Sequence, residues 1–142
     1  MTLILDASMA LSWLLKRRDS DEAVQSEQAL DFVRSFGAMV PALWFPEVAN
    51  TVLLAERQRV ITAKESAKFL SSLSIWEIVQ DSVLPAFCQT QVIHLGRVYQ
   101  LTAYDATYLE LAMRRAATLA SFDRKLTAAA RAAGVQVFGD PQ

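Results

Sequence analysis

A single α/β domain with helices on both faces of a mostly parallel sheet of about five short strands is the architecture this sequence predicts. Three observations carry the prediction. Short apolar runs alternate with longer segments of helical periodicity, the pattern of strand–helix–strand units. The 142 residues make one ordinary domain, residues 1–142, and no linker, repeat or low-complexity stretch divides them. Only 4 Gly and 4 Pro occur, so connections are short and helices dominate.

The first run, Thr2-Leu3-Ile4-Leu5, suits a strand buried on both faces. After Asp6-Ala7-Ser8, the residues Met9, Leu11, Trp13, Leu14 and Leu15 recur at helical spacing. A polar break from Lys16 to Asp21 precedes a second helix, which runs to about Phe36 and is stopped by Gly37. Ala38-Met39-Val40-Pro41 reads as a second strand, followed by a helix through Phe45, Val48, Val52, Leu53 and Ala55. Thr62-Ala63-Lys64-Glu65 is a capping box that opens another helix. Ile75 to Gln80 alternates as a third strand, and Pro85 starts a helix reaching about Leu101. A helix spans Tyr104 to Ala116, and Thr118-Leu119-Ala120-Ser121 is the fourth strand. Arg124 to Ala133 is a helix stopped by Gly134, and Val135-Gln136-Val137-Phe138 completes the sheet as a fifth strand.

Composition removes several kinds of chemistry. Hydrophobic residues make up 53% and charged residues 20%, with mean hydropathy +0.21, which excludes a disordered chain. That apolar content is high for a lone small domain and predicts cover by another subunit or partner. A formal charge of −1 argues against a broadly basic nucleic-acid binder. The single cysteine, Cys88, allows no internal disulfide or zinc site and reads as a buried structural thiol. The single histidine, His94, lies in an apolar stretch and reads as packing, with no Ser-His-Asp set around it. The opening residues lack the basic start of a signal peptide, and no apolar run approaches the roughly 20 residues of a membrane span. A cytoplasmic protein is expected.

Carboxylates carry the remaining chemistry. In a parallel sheet, ligands bind at the carboxyl ends of the strands. Asp6 follows the first strand and Asp123 follows the fourth, so both belong to that edge. Glu47 opens the helix after the second strand, and Asp105 opens the helix before the fourth. Each has a local explanation as well. Asp6 and Asp123 are placed as helix N-caps, Asp105 as the acidic end of a capping box begun by Thr102, and Glu47 as an acid favoured by its helix dipole. Together they make a hard-oxygen site without histidine or cysteine, suited to Mg2+ or Mn2+. Ser8 could support such a site, and Asn50, one turn beyond Glu47, could orient Glu47 or a water.

Four segments, Leu5-Asp6-Ala7-Ser8, Pro46-Glu47-Val48-Ala49-Asn50, Tyr104-Asp105-Ala106-Thr107-Tyr108-Leu109-Glu110-Leu111-Ala112 and Leu119-Ala120-Ser121-Phe122-Asp123-Arg124-Lys125-Leu126, occur in that order. In this pattern the chain resembles the PIN-domain family, and within it the VapC-type toxins of type II toxin–antitoxin pairs. The resemblance covers essentially the whole chain. It implies a three-layer α/β/α PIN-like fold and an endoribonuclease dependent on Mg2+ or Mn2+. It implies that Asp6, Glu47, Asp105 and Asp123 form the metal site, and that a metal-activated water hydrolyses the RNA phosphodiester. It further implies a homodimer and a cognate antitoxin protein. A dimer surface is expected near Leu11–Leu15 and Leu53-Leu54.

Rival readings fit less well. A metal-dependent adhesion module would carry a second serine where Ala10 stands. A phosphatase of the haloacid-dehalogenase type would carry a second aspartate where Ser8 stands, and a receiver domain would need an acidic pair where Asp6 is alone. A catalytically silent PIN-like scaffold would lack one of the four acids. Without those acids the rest of the chain has a formal charge of +3, which suits RNA phosphates. Lys16, Arg17, Arg18, Arg124 and Lys125 are candidate contacts, though each alone reads as solvated surface, and Arg114-Arg115 is undecided. Trp13, Trp44 and Trp76 could stack on bases but read as packing residues.

Overall fold

The chain alternates short buried strands with longer helices, as a computed structural model shows for residues 1–141. The elements in order are β1 (Leu3–Leu5), α1 (Ala7–Leu11), α2 (Ser20–Phe36), β2 (Ala38–Val40), α3 (Trp44–Arg57), α4 (Ala63–Ile75), β3 (Ile78–Gln80), α5 (Pro85–Tyr99), α6 (Ala103–Arg114), β4 (Thr118–Ala120) and α7 (Arg124–Ala132). The strands form one parallel sheet in the order β3-β2-β1-β4, flanked by the helices.

The two central strands are all but inaccessible, because every position of β1 and the ends of β2 carry apolar side chains. Against them pack Met9, Ala10, Val33, Tyr108, Leu109, Leu119 and Leu126, all essentially without exposed surface. Leu11 belongs to this core, whereas Leu53 and Leu54 remain exposed. Among the described residues, no helix is long and apolar enough to cross a membrane.

Local signals place several boundaries. The Thr62 hydroxyl accepts from the Glu65 amide while the Glu65 carboxylate accepts from the Thr62 amide, a complete capping box. Gly37 ends α2 at φ +75, and a Cβ there would run into the Glu77 carbonyl, so only glycine fits the turn into β2.

The expected fifth strand is not formed among the described residues. Val137 makes a single parallel bridge to Leu119, held by Leu119 N–H to the Gln136 carbonyl and Phe138 N–H to the Leu119 carbonyl. Gly134 and Gly139, both at positive φ, turn the chain on either side of this segment. The first helix also stops at Leu11, and Trp13 to Leu15 continue as turns. Cys88 is half-buried, since α5 offers most of its surface to solvent.

Candidate functional site

The register of β1 against β4 sets Leu5 opposite Ala120, so Asp6 and Ser121 leave the sheet side by side at its carboxyl edge. The Asp6 amide extends the ladder by donating to the Ala120 carbonyl at 3.0 Å. Asp6 occupies the N-cap position of α1 in extended conformation, yet its side chain makes no capping hydrogen bond. Its Oδ2 instead accepts from Ser8 Oγ at 2.6 Å and from Ser121 Oγ at 2.7 Å. Both hydroxyls are themselves fixed. Ser8 Oγ accepts from the Phe122 amide at 3.0 Å, and Ser121 Oγ accepts from the Asp123 amide at 2.9 Å.

Glu47 lies in the first turn of α3, where the helix dipole favours an acid. Its Oε1 accepts from the Tyr108 hydroxyl at 2.6 Å. Tyr108 is completely buried in α6, one turn after Asp105. Burial first, then the Asp6 charge and the bond to Glu47, push its pKa far above the usual phenol value, so it stays a donor. Thr102 caps α6 by accepting from the Asp105 amide at 3.2 Å, without the return bond of a capping box among the described residues. The Thr102 hydroxyl also lies beside the Asp105 carboxylate and works to lower its pKa. Asp123 does cap α7, with Oδ1 accepting from the Leu126 amide at 2.9 Å. Asn50 is exposed and, among the described residues, makes no hydrogen bond to Glu47.

The acids share one electrostatic field. Burial raises the Asp6 pKa and the Asp123 charge adds to it, against bonds from Ser8 and Ser121 that oppose the shift. Burial also raises Glu47, with Asp6 and Asp105 adding, and raises Asp105, with Asp123 and Asp6 adding. Among the described residues, no ion pair involves any of the four.

The arrangement is open rather than closed. Among the described residues, no three Asp, Glu, His or Cys side chains form a ready-made metal cage. The donors are all oxygen and, among the described residues, no ion pair offsets their negative charge, which fits a hard divalent ion that keeps part of its water shell. Tyr108 and Ser121 were not singled out as site residues by sequence reasoning. The spacing of Tyr108 from Asp105, three residues on one helix, is the signal that could have found the first. Ser121 has only its place at the end of β4.

Fold and site define a parallel α/β domain with an acidic, oxygen-only site at the carboxyl edge. A PIN domain family model matches residues 3–132, and the chain belongs to the PIN-domain family. PIN domains are generally nucleases and typically depend on a divalent metal. The structure is similar to that of PAE2754 from Pyrobaculum aerophilum, with a TM-score of 0.65 and 18% identity over 97% of this chain and 90% of that one. FitAcB from Neisseria gonorrhoeae gives 0.64 and 17%, over 97% of both chains. FitAB bound to an IR36 DNA fragment gives 0.64 and 19%, over 96% of this chain and 94% of that one. No curated protein matches the chain in sequence.

Proposed function

We propose that this chain is a divalent-metal-dependent endoribonuclease, the VapC-type toxin of a type II toxin–antitoxin pair, acting as a cytoplasmic homodimer. The observation that carries the reading is the convergence of Asp6, Glu47, Asp105 and Asp123 at one sheet edge with no ion-pair partner among the described residues. These four side chains would hold one or two Mg2+ or Mn2+ ions, which supply charge stabilisation for the phosphate oxygens and a lowered pKa for an attacking water.

The chain's own contribution is orientation. Ser8 and Ser121 pin one oxygen of Asp6, and each hydroxyl is held in turn by an amide of the segment that carries Asp123. A displacement of β4 therefore moves Asp6 and Asp123 together. Tyr108 aims Glu47 from a wholly buried position. The raised pKa values of Asp6, Glu47 and Asp105 mean that cation binding competes with protons, so affinity for the ion increases with pH across the acidic range.

A second feature supports a protein partner. A groove of about 530 Å³ lies between α3 and α4, walled by Phe45, Val52, Leu53, Leu70 and Leu73. Phe45, Leu53 and Leu70 are each nearly half exposed, which suits an apolar segment of an antitoxin.

The test is cleavage of single-stranded RNA with Mg2+ or Mn2+, comparing wild type, Asp6→Ala, and wild type with chelator. Cleavage by the first alone is expected, and equal activity in all three overturns the reading. Since FitAB is known bound to DNA, a single-stranded DNA substrate belongs beside the RNA; preferential DNA cleavage would overturn the RNA assignment.

A further inference from the structure

We propose that Arg17, stacked on Phe122 and flanked by Lys16 and Arg18, is the arm that holds the phosphodiester backbone of the substrate next to the acidic site. The inference rests on the nuclease reading above and names residues that bind the polymer away from the reacting atoms.

A cleft of about 510 Å³ opens off the site. One wall contains Ser8, whose hydroxyl donates to Asp6, so cleft and carboxylate cluster share a side chain. The lining also takes in the segment before α2, with Lys16, Arg17 and Arg18 in succession. The Arg17 guanidinium carbon sits 4.4 Å from the centre of the Phe122 ring. Phe122 lies between Ser121 and Asp123, and its amide donates to Ser8, so the ring that supports Arg17 is tied to the site. A guanidinium stacked on an aromatic face keeps its edge N–H groups free for a forked contact to phosphate oxygens.

The acids in the cleft, Asp19 and Glu22, offset only part of the charge of Lys16, Arg17 and Arg18. Asp19 Oδ1 accepts from the Asp21 and Glu22 amides as the cap of α2. Glu22 approaches Arg17 only to 3.7 Å, a long and partly exposed contact that a phosphate can displace. Lys16 and Arg18 are exposed, with no ion pair among the described residues. Three consecutive residues extend over about 10 Å, enough for more than one backbone phosphate, which favours a polymer over a small anion. Near the other acids, Lys125 donates to the Gln100 carbonyl at 3.3 Å and is partly engaged there.

The experiment measures binding of a labelled 12-nucleotide single-stranded RNA in chelator, from low to moderate salt, so that no cleavage occurs. Each phosphate contact on a single strand contributes about 0.7 to the slope of log affinity against log salt. The Lys16→Ala/Arg17→Ala/Arg18→Ala variant is expected to lose about 2 from the wild-type slope, and Arg17→Ala about 0.7. Arg17→Lys should keep the slope but lose several-fold in affinity, because the fork and the stack are gone. With metal restored, the triple variant should raise KM with kcat unchanged, and thermal unfolding should match wild type. A wild-type slope and affinity in the triple variant overturn the proposal while leaving the nuclease reading intact. No salt-dependent RNA binding by wild type also overturns the proposal, while the nuclease reading stands or falls on cleavage with metal.

Discussion

The two ends of α6 treat carboxylates in opposite ways. At its C-terminal end Arg114 joins Asp81 and Glu110, with Nη2 2.6 Å from Asp81 Oδ2 and Nε 2.7 Å from Glu110 Oε1. Burial works to raise the Asp81 pKa, but the hydrogen bonds and charge of Arg114 outweigh it and hold the carboxyl below its usual value. At the N-terminal end, Asp105 lies among Asp6, Glu47 and Asp123, burial and like charge act together, and the pKa values of Asp6, Glu47 and Asp105 rise. A half-buried acid with its own cation completes the fold. A half-buried acid without one is left for a cation from solution.

The sharpest way to break this comparison is to neutralise one acid in each set. Asp6→Asn keeps an oxygen for Ser8 and Ser121 but removes the charge, and should cut RNA cleavage by at least about 100-fold while the protein stays folded. Arg114→Ala should do the reverse. It leaves Glu110, only 6% exposed, as an unpaired buried charge, and should cost about 2 kcal/mol by urea denaturation with cleavage per folded molecule unchanged. A smaller effect is expected for Tyr108→Phe. Glu47 keeps its charge and loses its orienting donor, so kcat/KM should drop by about 10-fold.

The smallest effect is the pH dependence of stability in chelator. An acid whose folded pKa is raised binds more protons when folded than when unfolded, so it destabilises the fold at high pH. That penalty disappears as pH falls through the raised values of Asp6, Glu47 and Asp105 toward the ordinary carboxylate range. In chelator at pH 7, Asp6→Asn should therefore melt a few degrees above wild type, and the gap should close on acidification. A gap that widens toward acid would contradict the charge argument.

The sequence makes the four acids legible because each sits at an element boundary, and boundaries are marked by strong local signals such as Gly37 or the Thr62–Glu65 box. It says less about what each acid does there. Asp123 caps α7 with its side chain, whereas Asp6 sits at the N-cap of α1 with its Oδ2 turned to Ser8 and Ser121. Ser121 is 115 residues from Asp6, and Tyr108 is 61 from Glu47. Such pairs exist only once the sheet register is set. The same holds for Arg17 on Phe122, where a surface arginine acquires a position from a ring far along the chain. Val135 to Phe138 has strand composition but contributes only a single bridge, to Leu119.

The central claim, that the uncompensated acids await a cation and the compensated ones do not, is tested most directly by thermal unfolding during a Mn2+ titration. Wild type and Asp81→Asn should both gain stability with rising Mn2+, by about 2.7 kcal/mol at a hundredfold excess over Kd, while Asp6→Asn and Asp105→Asn gain much less. Equal Mn2+ stabilisation of Asp6→Asn and wild type, or none in wild type, would contradict it.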